Sequence, residues 1–250
     1  MITPHLIAAA KPTLPRRAGL AGIRSSNDLM TPFACIRILA ALALLTLAGC
    51  VETRFESPIG DNIETCDAEW KGLWLGTDDD KGVPDDTTAF YVNDECQFIV
   101  VDQPEKNGPL KQIHVPVNYV HASGKDYIVV ADTSIKSLVN IRPPHGLDPV
   151  PDKSFFFARY RVHGDRIELY QVDSERTAKL VIEGKLGGTV DKRQNELHVF
   201  VSGSRAQMLD MVRTHEDLFD SKSPLVLERR RESLEEFERS VAPTASKGSP

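Results

Sequence analysis

The sequence offers little to a search for catalytic machinery. It contains no Gly-x-Ser-x-Gly elbow, no P-loop and no Gly-x-Gly-x-x-Gly, so elbow-type hydrolysis and the common nucleotide-binding loops have no signature in it. His215-Glu216 opens like a His-Glu-x-x-His zinc helix, but Phe219 stands where the second histidine belongs. Losing one of two ligands at i,i+4 removes such a site. His114, His121, His163 and His198 are scattered over expected strands and turns and read as surface or packing residues. Cysteine is scarce, with four in 250 residues, and no internal repeat is visible. The longest apolar run, Ile38–Ala48, is interrupted by Thr46 and falls well short of the roughly 20 residues of a membrane-spanning helix. No cofactor and no metal centre is expected.

What is present is an export pattern. Arg37 precedes the apolar run, small residues Ala48 and Gly49 follow it, and Cys50 comes next, which is the layout of a signal peptide's apolar region and cut site. Leu47-Ala48-Gly49-Cys50 resembles the lipobox of bacterial lipoproteins. That resemblance implies cleavage before Cys50, a diacylglycerol thioether on its sulfur and an acyl group on the new amino terminus. Several acyl chains together hold a protein firmly, at about 0.8 kcal/mol per buried methylene. The family's sorting pattern uses Asp after the cysteine for inner-membrane retention; Val51 stands there, so the resemblance implies the outer membrane. Met30 gives a compact start to the signal, 30–49. Residues 1–29 read as an upstream segment, since the Arg16-Arg17 pair lacks the apolar determinants of twin-arginine export.

Removal of residues 1–49 takes away five basic residues and one acid, leaving 25 Lys+Arg against 35 Asp+Glu and a formal charge of −10. A surface of that sign repels polyphosphates, so nucleic acid is excluded as a partner. The expected partners are the membrane, through the lipid, and a protein or other component of the envelope. With Cys35 in the signal and Cys50 acylated, Cys66 and Cys96 remain. In an oxidising compartment an even pair reads as a disulfide, contributing on the order of 3–4 kcal/mol by loop entropy; two buried thiols are the alternative.

The mature chain divides by composition. "VETRFESPIGDNIET", within segment 50–65, is polar and contains Pro58 and Gly60; it reads as a flexible tether of roughly 20 Å reach. Short β-branched and aromatic stretches follow at Trp70–Leu75, Thr88–Val92, Cys96–Asp102, Ile113–Val120 and Asp126–Asp132, separated by turn residues. Pro116 marks an edge or bulge. His163-Gly164-Asp165 joins the clearest hairpin, in which Phe155, Phe157, Arg159 and Arg161 alternate with Phe156, Ala158, Tyr160 and Val162. Asp173 or Ser174 caps a helix to about Glu183, and Ser204-Arg205-Ala206-Gln207 is a capping box opening a helix to about Phe219. Glu196–Ser202 and Leu225–Arg230 complete the strands, a charged helix reaches Val241, and 241–250 is a disordered tail. The expectation is one domain over 66–240, α+β and mainly antiparallel β, a sheet or partly closed barrel with two helices in its C-terminal half.

Three weaker patterns remain. "GVPDD" (Gly82–Asp86) resembles the Asp-rich calcium repeats of thrombospondin type 3 and would make Asp79 and Asp85 ligands, but Lys81 occupies an intervening ligand position and has the wrong sign for a cation cage. An acidic hairpin loop is the simpler reading. Gly72-Leu73-Trp74 resembles the Gly-x-Trp signature of lipocalins, which would make Trp74 a ligand-facing residue and the protein a carrier of a small apolar molecule. As a plain residue, Trp74 is a core anchor. Arg229-Arg230-Arg231 reads as a solvated basic run answered by nearby acids. A non-enzymatic binding module is the preferred reading, with the carrier second and an enzyme built from dispersed residues third.

Overall fold

The computed structural model describes residues 51–78, 83–102, 110–136, 143–144, 146–193 and 196–241, of which 78 and 83–88 are described by backbone alone. The signal, Cys50, residues 1–29 and most of the tail lie outside them.

The elements run β1 (Val51–Phe55), β2 (Gly72–Asp78), β3 (Val83–Val92), β4 (Phe98–Asp102), β5 (Lys111–Val115), β6 (Asn118–Ala122), β7 (Lys125–Ala131), α1 (Asp132–Ile135), β8 (Phe155–His163), β9 (Arg166–Gln171), α2 (Ser174–Ile182), β10 (Gly188–Arg193), β11 (Glu196–Val201), α3 (Arg205–Thr214), β12 (Leu225–Arg230) and α4 (Leu234–Val241). The twelve strands share one sheet, ordered β10-β11-β1-β8-β9-β12-β2-β3-β4-β5, with β6 and β7 joining through β8. Every pairing is antiparallel except β1 with β11. The chain is thus α+β and mainly antiparallel. The sheet is open between β5 and β6, which follow one another without pairing. Pro116, which cannot donate to a ladder, falls in that gap and splits the single strand expected over Ile113–Val120.

The alternation in β8 builds two cores. Phe156, Tyr160, Ile128, Val130, Ile167 and Leu169 face a cluster centred on Trp70 and Trp74, where Trp70 meets Phe98, Tyr119 and Tyr160 at centroid distances of 5.7, 6.2 and 5.4 Å. On the opposite face Phe157 stacks on Phe55 at 4.0 Å, and Val199, Val201, Leu180, Met208 and Met211 close over them. α4 lays Phe237 on Leu73, Leu75, Ile99 and Val101. Asp173 caps α2 through the Arg176 N–H at 2.8 Å, and the Ser204–Gln207 capping box opens α3 as expected. That helix stops at Thr214 rather than Phe219, because His215 leaves helical geometry and a 3₁₀ turn, Glu216–Leu218, follows. Strand β10 was not expected from the sequence. It begins at Gly188, where φ is +149° and a Cβ would fall 2.0 Å from the Phe200 carbonyl oxygen, an approach open only to glycine.

The largest correction concerns the expected tether. Val51–Phe55 is an inner strand, parallel to β11 and joined to β8 at Phe55–Phe155, with Glu52 through Phe55 all buried. Ile59 is fully buried, and Glu64 exchanges backbone hydrogen bonds of 2.8 and 2.7 Å with Tyr119. Among the described residues the domain therefore begins at Val51, not at Cys66. The physical reason is the period-two pattern of Val51, Thr53 and Phe55 against Glu52 and Arg54, which places three packing groups on one face. The Cys66–Cys96 disulfide is present, with Cα atoms 5.2 Å apart. It ties the entry to β2 to the turn before β4.

Candidate functional site

The edge of β8 that carries β9 also receives β1. Residues Ala158–His163 pair with β9, whereas β1 touches that edge only at Phe155. The two strands then part, and the fork opens a cleft of about 430 Å³. Val51 and Thr53 form one wall, Phe156 and Phe157 the floor, and Val172, Asp173 and Ser174 the other wall. The Thr53 hydroxyl donates to Ser174 Oγ at 2.8 Å and bridges the walls at the start of α2. Asp173, Glu175 and Asp220 give the rim an acidic character. Asp173 is occupied as the helix cap, and Asp220 accepts from the Lys222 N–H at 2.9 Å. A second cleft, about 310 Å³, lies beside α3 and includes Leu186, Met208, Met211 and His215.

Behind β1, on its other face, runs a buried chain of charges. Glu52 Oε1 lies 3.0 Å from His198 Nδ1, and its Oε2 accepts from Arg54 at 3.0 Å. Arg54 continues to Asp132 at 3.9 Å, and Asp132 accepts from the Ser154 N–H and hydroxyl, each at 3.0 Å. Glu196 closes the far end, 3.4 Å from His198 Nε2. Charges this deep persist only when mutually paired and hydrogen-bonded. Each charged member lies within ion-pair distance of an opposite partner, so the chain reads as a lock on the inner strand and not as a reaction centre.

Further along β8, on the face of Phe157, come the buried Arg159 and the exposed Arg161. Arg159 is only 6% exposed, with its guanidinium carbon 4.7 Å from the Tyr170 ring centroid and 5.6 Å from that of Phe219. Arg161 addresses the same Tyr170 ring at 5.5 Å. Burial, and then the charge of Arg161, lower the Arg159 pKa. Tyr170 donates through its hydroxyl to Glu168.

Neither a protein-family model, nor a curated protein, nor a solved structure matches the chain. Its chemistry is therefore argued from its own residues.

The residues singled out from sequence are dispersed. Trp74 is fully buried, donates its indole N–H to the Trp70 carbonyl at 2.7 Å and carries Arg229 over its ring at 4.1 Å. It is a core anchor and faces no cleft described above, which leaves the carrier reading without support at that residue. Asp79 lies outside the described residues; Asp85 falls within β3, described by backbone alone. His215 ends α3, Glu216 pairs with Lys125 at 2.7 Å and Phe219 is buried, so they form no zinc helix. Arg229 pairs with Asp165 at 3.3 Å and Arg230 with Glu232 at 3.3 Å. Among the described residues no group of three or more His, Cys, Asp or Glu is placed to hold a metal ion, and no helix is long and apolar enough to cross a membrane. The cleft, the buried charges and the Arg159 cluster were all missed. Their sequence signal was the alternation of charged with apolar residues in β1 and β8, which a surface reading assigns to solvent.

Proposed function

We propose that the protein is a lipid-anchored, non-enzymatic binding module of the bacterial envelope, held through Cys50 and facing the periplasm from the outer membrane. The observation that carries the reading is Leu47-Ala48-Gly49-Cys50 immediately ahead of the first strand. The disulfide supports an oxidising compartment. Val51 both follows the anchored cysteine and lines the fork cleft, so acylation would fix the cleft within about one residue's reach, roughly 3.8 Å, of the lipid attachment. A binding surface tied so closely to its anchor suits a ligand or partner that is itself part of the envelope. The test is Cys50→Ser with membrane fractionation and metabolic palmitate labelling. The variant should lose label and leave the membrane fraction; retention unchanged from wild type would overturn the anchoring and, with it, this reading.

A further inference from the structure

We propose that Arg159 and Arg161, set on the Tyr170 ring, form a binding site for an oxyanion group, a carboxylate or a phosphate, carried by a small solute. The reading is independent of anchoring and of the fork cleft.

Burial without an ion pair is the first support. Arg159 is nine-tenths buried, yet its Nε has no hydrogen-bond partner, and among the described residues no ion pair reaches its guanidinium. A guanidinium taken out of water needs hydrogen-bond acceptors, and ring contacts with Tyr170 and Phe219 offset only part of that cost. The second support is a like charge. Arg161 lies on the same face two residues along, shares the Tyr170 ring and likewise has no hydrogen bond or ion pair among the described residues. Two cations placed together destabilise one another unless an anion joins them.

The neighbouring carboxylates are committed elsewhere. Glu168, the register partner of Arg161, accepts from the Tyr170 hydroxyl and pairs with Arg166 at 3.3 Å. Glu216, whose charge reaches Arg159 from a distance, is paired with Lys125 at 2.7 Å. The guanidinium, its carbon over the Tyr170 ring, keeps its N–H groups as donors, with Nε buried and without a partner, and a guanidinium fork matches two oxygens of one carboxylate or phosphate. Tyr127, the register partner of Arg159 on β7, and Phe219, 5.6 Å from Tyr127, add apolar walls. The site is therefore locally cationic in a chain that is acidic as a whole, which selects a small anion over a polyanion.

The purified full-length protein in detergent, titrated calorimetrically at low ionic strength with inorganic phosphate and separately with succinate, tests this. Saturable binding of at least one anion is expected, and the anion that binds identifies the group recognised. Arg161→Gln changes an exposed residue and should weaken that binding at least tenfold with the melting temperature unchanged. Arg159→Lys keeps the charge but loses the fork and should weaken it comparably. No saturable binding of either anion to wild type, or equal affinity in Arg161→Gln, overturns the proposal.

Discussion

Glu52 and His198 are register partners on the two parallel strands of the sheet, and their side chains meet at 3.0 Å in the interior, 146 residues apart in sequence. The contact places a carboxylate in the middle of a segment whose composition suggests solvent. Glu52→Ala would strip both His198 and Arg54 of that carboxylate. Removing one member of a buried pair costs about 3–5 kcal/mol, whereas a surface change stays within about 0.5 kcal/mol. Urea denaturation should therefore give a loss near the upper range; a value near the lower would mean that Val51–Phe55 hangs free.

The disulfide closes Cys66 onto Cys96. Replacing both with serine should lower stability by about 2–5 kcal/mol. Thermal melts with and without dithiothreitol check it. Wild type should lose stability in the reductant and the double variant should not respond.

Tyr119 and Tyr160 are pushed above the ordinary phenol range, first by burial and then by Asp67, which accepts from the Tyr160 hydroxyl. Both should stay un-ionised to the alkaline edge of the folded state. A folded pKa above the unfolded value adds stability that is complete below about pH 10 and is lost as pH rises beyond it. Absorbance at 295 nm should show these two phenols ionising together with unfolding. A Tyr160→Phe chain would lose one buried hydrogen bond, about 1–3 kcal/mol where it leaves Asp67 short of a donor.

His121 meets Asp126 at 2.7 Å and Glu64 at 4.0 Å. Partial burial pulls its pKa down, but the Asp126 hydrogen bond and the charges of Asp126, Asp67 and Glu64 outweigh it, and the net direction is upward. Protonated His121 is thus favoured in the folded state. Its contribution is complete below the unfolded value near pH 6.5 and disappears as pH rises through the higher folded value. An NMR titration should place the ring above an ordinary histidine, and Asp126→Asn should bring it back. An unchanged value in that variant would show the hydrogen bond to be irrelevant.

Much of the architecture was legible because its local signals agree. The β8–β9 hairpin follows from eight alternating residues and His163-Gly164-Asp165, and α3 begins where Ser204 and Gln207 cap each other. The inner strand was hidden because Glu52 and Arg54 are the residues that usually face water. Only the partners they meet, His198 and Asp132, reveal that they do not. Those partners come from distant strands, and no window of sequence contains them together. Arg159 was not singled out, for the same reason. It obeys the alternation of β8, but the rings that cover it come from β9 and from Phe219.

The position of β1 also sets an order of events. Val51–Phe55 is made first among the strands, but it pairs with β8 and β11, which begin at Phe155 and Glu196. Until most of the chain has been made, the strand has no slot and presents an unpaired edge. Charged residues on such an edge discourage pairing with other chains. Glu52 and Arg54 therefore serve twice, as gatekeepers while the strand waits and as its fastening once the slot closes.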